Sequence, residues 1–122
     1  KKCHKKNVHK HYIEDLVVNK TLEKKLDNYN EFLKNGFRFN FDIGHDGRSN
    51  NALYEYNKVH NLPFDEFHFH DSNDFGCHLA LGEGKINLKY FKELAIKNNA
   101  WVLLEVKSSE DLKKSVPYYN NL

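Results

Sequence analysis

Phe67–Gly84 reads FHFHDSNDFGCHLALGEG. Its first four residues alternate phenylalanine and histidine with a period of two, which is the pattern of a β-strand. On such a strand Phe67 and Phe69 point to one face and His68 and His70 to the other. Asp71-Ser72-Asn73-Asp74 is turn chemistry and ends the run. His78 follows in the loop, and Gly82-Glu83-Gly84 makes a second turn. A strand that ends in His and Asp and opens into a glycine-punctuated loop puts polar chemistry at its C-terminal end, where parallel α/β folds carry their sites.

The same pattern recurs on either side. Upstream, Phe37, Phe39 and Phe41 alternate with Arg38, Asn40 and Asp42, and Gly44-His45 ends that strand before a polar loop over Asp46–Asn50. Earlier still, Tyr12–Val18 reads as a short strand with Glu14-Asp15 between Ile13 and Leu16. Leu22, Leu26, Tyr29 and Leu33 draw one apolar stripe and predict a helix over Thr21–Asn35, stopped by Gly36. A second helix is expected over Asn51–His60, closed by Leu62-Pro63. Downstream, Leu88, Phe91, Leu94 and Ala95 mark a third, ending near Asn98-Asn99. Trp101–Val106 is an apolar strand interrupted by Glu105. Ser108 or Ser109 can cap a last helix with Leu112, Val116 and Tyr119 as its stripe, kinked or shortened by Pro117. Strand–helix repeated four times predicts an α/β fold with four parallel strands, near 11–17, 37–43, 65–71 and 100–106.

Bulk properties bound the function. The 122 residues suit one domain, 1–122, and a net charge of +2 gives no electrostatic footprint for nucleic acid. There is no membrane-span or signal-peptide pattern. Two cysteines, Cys3 and Cys77, make no disulfide framework, so a cytoplasmic protein is expected. The basic, His-rich segment 1–11 reads as a solvated lead-in. With no methionine, even at position 1, the chain is expected to begin downstream of a translation start.

Each expected strand carries an acid or histidine near its C-terminal end: Glu14, Asp42 with His45, His68 with His70, and Glu105. An acid facing an interior is costly unless paired or metal-bound. Converging Asp, Glu and His form a hard, oxygen-rich site suited to one divalent ion, Mn²⁺, Mg²⁺, Co²⁺ or Zn²⁺. His45 and His78 are possible additional metal or substrate groups. His70 reads as a supporting histidine behind the ligands.

FRFNFDIGH, FHFHDSN, HLALGEG and VLLEVKSSEDLKKS together resemble the C-terminal half of the xylose isomerase-like TIM barrels, over about residues 37 to 119. That superfamily holds sugar-phosphate isomerases and epimerases and the endonuclease IV-type apurinic endonucleases (AP endonuclease family 2). The family's Asp-x-x-His falls on Asp42 and His45, its strand histidine on His68, its loop histidine on His78, and its last-strand glutamate on Glu105. An earlier family glutamate falls on Glu14. In the isomerase and epimerase branch the resemblance implies one divalent metal held by Glu14, Asp42, His68 and Glu105. Glu14 and Glu105 would then move a proton on a sugar or sugar phosphate through an enediolate. The endonuclease branch wants an Asp two residues before the loop histidine, where this chain has Gly76.

A full (β/α)8 barrel takes about 250 residues, and four βα units are half of one. The expectation is a C-terminal half barrel whose partner is the missing N-terminal half or a second copy of itself. A degenerate, non-catalytic half-barrel binding module is the remaining alternative.

Overall fold

The computed structural model describes residues 11–14, 31 and 33–122. Its strands are β1 (His11–Glu14), β2 (Phe37–Asp42), β3 (Phe64–Phe69) and β4 (Trp101–Leu104). Two helices, α1 (Ile43–Arg48) and α2 (Ala52–His60), lie between β2 and β3. One, α3 (Leu88–Lys97), lies between β3 and β4, and α4 (Ser109–Asn120) follows β4. The sheet runs β1-β2-β3-β4 with every neighbouring pair parallel, as the strand–helix alternation predicts. The helix expected over Thr21–Asn35 lies outside the described residues except for its end. There the Asn35 N–H donates to the Glu31 carbonyl, and Gly36 follows at φ +80°. Cys3 and segment 1–10 also lie outside. Among the described residues no helix is long and apolar enough to cross a membrane.

The phenylalanine alternation builds the helix-side face. Phe39, Phe41, Phe64, Phe67 and Phe69 are all buried, together with Leu53 on α2 and Phe91 and Ala95 on α3. Phe41 stacks on Phe67 at 5.7 Å and meets the edge of Phe91 at 5.1 Å. Burying each such side chain contributes about 1.5–3 kcal/mol. Phe64 and Phe67 share this face although they are three apart, which breaks a period of two. The register explains it: Phe39 pairs with Phe64, but Asn40 pairs with Glu66, so Asp65 is taken up as an irregularity. As a result Glu66, His68 and His70 align with Asn40 and Asp42 on the opposite face.

Two local expectations are corrected. Gly44–Asn50 is not a strand end and loop; Ile43–Arg48 is helical, with Asp42 as its N-cap. Two glycines in six residues hide that helix, because glycine lowers helix propensity. Asp46 is then buried and caps the next helix as well: its carboxylate accepts from the N–H groups of Leu53 at 2.8 Å and Tyr54 at 3.0 Å. The α4 stripe also differs. Ser108 is the cap, but Leu112 and Val116 are exposed, and the buried position is Ser115, whose Oγ accepts from the Leu81 N–H. Tyr119 does pack inward, edge-on to Phe69. The helix runs past Pro117 to Asn120; Lys113, whose carbonyl loses its partner to the proline, sits on the exposed side.

Asp46→Ala should therefore lower stability by about 1–2 kcal/mol, as loss of a good helix cap does. Asp46→Asn, which keeps an acceptor, should lose less. Urea unfolding of the two variants beside the parent checks both.

Candidate metal centre

Asp42 ends β2 and begins α1. Its Oδ1 accepts from the His45 backbone N–H at 3.0 Å, so the Asp-x-x-His spacing is first of all a helix cap. The His45 ring lies beside it too, with Nδ1 2.8 Å from Oδ2. A third contact comes from β3: His70 Nε2 is 2.7 Å from Oδ1. Burial opposes ionisation of Asp42, but the His45 and His70 contacts outweigh it and hold its carboxyl well below the usual range. Gly44 is required here, since a Cβ at that position would overlap the His70 ring.

His70 has both ring nitrogens engaged. The His78 backbone N–H donates to its Nδ1 at 2.8 Å, so Nδ1 carries no proton and Nε2–H donates to Asp42. His78 stacks on His70 with ring centres 4.0 Å apart and donates from its own Nδ1 to the Glu105 carbonyl at 3.0 Å. It does so at φ +57°, an uncommon conformation for a residue with a Cβ. The loop that holds His78 is tied to Asp71. That buried carboxylate accepts from the backbone N–H groups of Ser72, Gly82 and Ile86. Asp71 also exchanges backbone bonds with Leu79. A Cβ on Gly84 would strike the Asp71 carboxylate, so the second turn must carry glycine there.

His68 is buried one position along the sheet from Asp42, its register partner. Nε2 lies 2.8 Å from Glu66 Oε1, and on the other side of the ring Nδ1 lies 3.4 Å from Glu105 Oε2. Burial opposes a charged ring, but the Glu105 and Glu66 carboxylates prevail and push its pKa up to about 10. The His68 ring in turn holds the Glu105 carboxyl below its ordinary range.

Asp42, His68 and Glu105 thus come together from three successive strands, each offering one ligand atom, all within 4.8 Å of one another. His45, His70 and His78 form a second such group. These groups could hold a divalent ion: a tetrahedral or octahedral shell with ligands near 2.1 Å has donor spacings of roughly 3–3.5 Å, and the His68–Glu105 spacing is 3.4 Å. Glu14 stands beside Asn40 in the sheet register, but its side chain lies outside the described residues. Sequence reasoning missed Glu66, which shares a strand face with His68 at i−2. It also missed Asp71 and the buried Asn40, whose carboxamide makes no hydrogen bond among the described residues. Extending the Phe/His alternation one step upstream would have found Glu66. Comparison with protein-family models, curated proteins and solved structures finds no match to this chain.

The raised His68 pKa makes a signed prediction for the metal-free protein. The folded ring keeps its proton above the unfolded value of about 6.5. The stability this contributes is therefore fully present below that pH and is lost as pH rises through about 10. Unfolding measured from pH 6 to 10.5 should show this loss in the parent, and His68→Gln should lack it.

Proposed function

We propose that Asp42, His68 and Glu105 hold one divalent cation, and that the chain performs metal-dependent proton transfer on a sugar or sugar phosphate, as an isomerase or epimerase. The observation that carries this reading is the convergence of two carboxylates and an imidazole from the C-terminal ends of three adjacent parallel strands. That is where barrel enzymes place their chemistry. When bound, the ion would polarise adjacent sugar oxygens and acidify the proton on the carbon between them.

The chain's own groups supply the rest. A carboxylate oxygen of Glu105 would take the carbon-bound proton, and the bonding electrons would move onto the neighbouring carbonyl oxygen to give an enediolate. The family resemblance assigns Glu14 the return of a proton from the other side. His45 and His70 keep Asp42 ionised and oriented. In this reading the sheet is the C-terminal half of a (β/α)8 barrel. Further βα units would pair with its edges at β1 and β4, where Trp101 is 72% exposed.

The group His45, His70 and His78 favours a second reading, a multi-metal apurinic endonuclease. Two features weigh against it. His70 would have to give up its bond to Asp42 or to His78 in order to ligate, and Gly76 stands where that branch wants an acid.

The test is exchange of a sugar carbon-bound proton with deuterated solvent, run with and without Mn²⁺ beside cleavage of an abasic-site duplex. Metal-dependent exchange that falls about 10²- to 10⁴-fold in Glu105→Gln supports the proposal. Cleavage without exchange contradicts it in favour of the nuclease. Neither activity in a completed barrel favours a binding module.

A further inference from the structure

We infer that Glu66 is the positioning residue of this centre: its carboxylate accepts the His68 Nε2–H and thereby turns Nδ1 toward Asp42 and Glu105 as the ligating nitrogen. The inference rests on the metal reading above and deepens it, because Glu66 belongs to no part of the family resemblance.

An imidazole ligates a single ion through one nitrogen, and the other nitrogen then carries the proton and needs an acceptor. The His68 side chain is only 7% exposed, so an N–H left without an acceptor there would be costly. Glu66 meets that need at 2.8 Å, on the side of the ring opposite Glu105. The backbone makes the contact possible. Taking up Asp65 at the register shift sets Glu66 beside Asn40 and directly before His68 on the site face. The nearby cation is drawn elsewhere: Arg38 Nε lies 3.3 Å from the Asp65 carboxylate. Glu66 thus pairs with His68 among the described residues. A carboxylate in this role fixes the tautomer and raises the basicity of the ligating nitrogen.

The experiment titrates Zn²⁺ alone into the full chain and into Glu66→Gln and Glu66→Leu. It follows heat on binding and the ¹⁵N signals of the His68 ring in the zinc-loaded protein. The parent should bind through Nδ1 with the proton on Nε2. Glu66→Leu should bind about 10- to 100-fold more weakly and show a mixture of tautomers. Glu66→Gln, which retains an acceptor of the same shape, should recover part of the affinity and the parent tautomer. That comparison stands even if the leucine variant does not fold. A purely structural role for Glu66 would move the unfolding midpoint but not the tautomer. Zinc uptake by the parent, with unchanged affinity and unchanged ring signals in both variants, overturns the inference while leaving the metal reading intact. No zinc uptake by the parent overturns both.

Discussion

The arrangement depends on keeping the Asp42 carboxylate ionised while buried. A carboxylate at 1% exposure is sustained only by direct contacts to its charged form, and Asp42 receives them from three directions. The His45 N–H ties it to the first turn of α1, the His45 ring flanks it, and His70 reaches it from β3. Removing the carboxylate would leave α1 without its cap and His70 without its Nε2 partner. The His70 bond to the backbone of His78 would then have no fixed geometry, and the loop from Asp71 to Ile86 would lose one of its attachments to the sheet.

Charge is distributed so that the two halves of the centre are opposites. Asp42 is an acid between histidines, whereas His68 is a histidine between acids, Glu66 and Glu105. Without a metal the protonated His68 ring lies between the two carboxylates, Nε2 toward Glu66 and Nδ1 toward Glu105, which is why its pKa rises to about 10. Around that one positive ring stand three carboxylates, an excess of negative charge that suits a cation. A metal ion in the proposed centre would have to displace the proton from Nδ1, so uptake would release a proton and weaken as pH falls.

Much of this was legible in the sequence, for a definite reason. Period-two alternation of phenylalanine with polar residues, in Phe37–Asp42 and Phe67–His70, fixes which face each side chain occupies once strands are parallel. Asp42 and His68 could thus be assigned to the polar faces of their strands, while Glu105 was found as the acid that interrupts the apolar run Trp101–Val106. The features that escaped depend on tertiary contacts. The helix Ile43–Arg48 is disguised by Gly44 and Gly47, and Gly44 is there for the close approach of His70 rather than for helix propensity. Asp46 looked like a loop residue because its partners, Leu53 and Tyr54, lie on another helix. Ser115 displaced the expected Leu112–Val116 stripe because α4 docks through a hydrogen bond to Leu81 rather than through its most apolar face. Glu66 continues the His68 face at i−2, so the alternation reaches it, but its contact with the His68 ring is not written in the spacing.

The central claim is that Asp42, His68 and Glu105 are ligands of a single divalent ion. The most direct measurement is a crystal structure of the protein grown with Mn²⁺, with anomalous scattering recorded for the metal. The account predicts one strong anomalous peak, roughly 2.0–2.2 Å from a carboxylate oxygen of Asp42, from His68 Nδ1 and from a carboxylate oxygen of Glu105. His70 would still be bonded to Asp42 and to the His78 backbone. No anomalous peak at this position would contradict the account, and so would a peak held by His45, His70 and His78 with His68 still bridging Glu66 and Glu105.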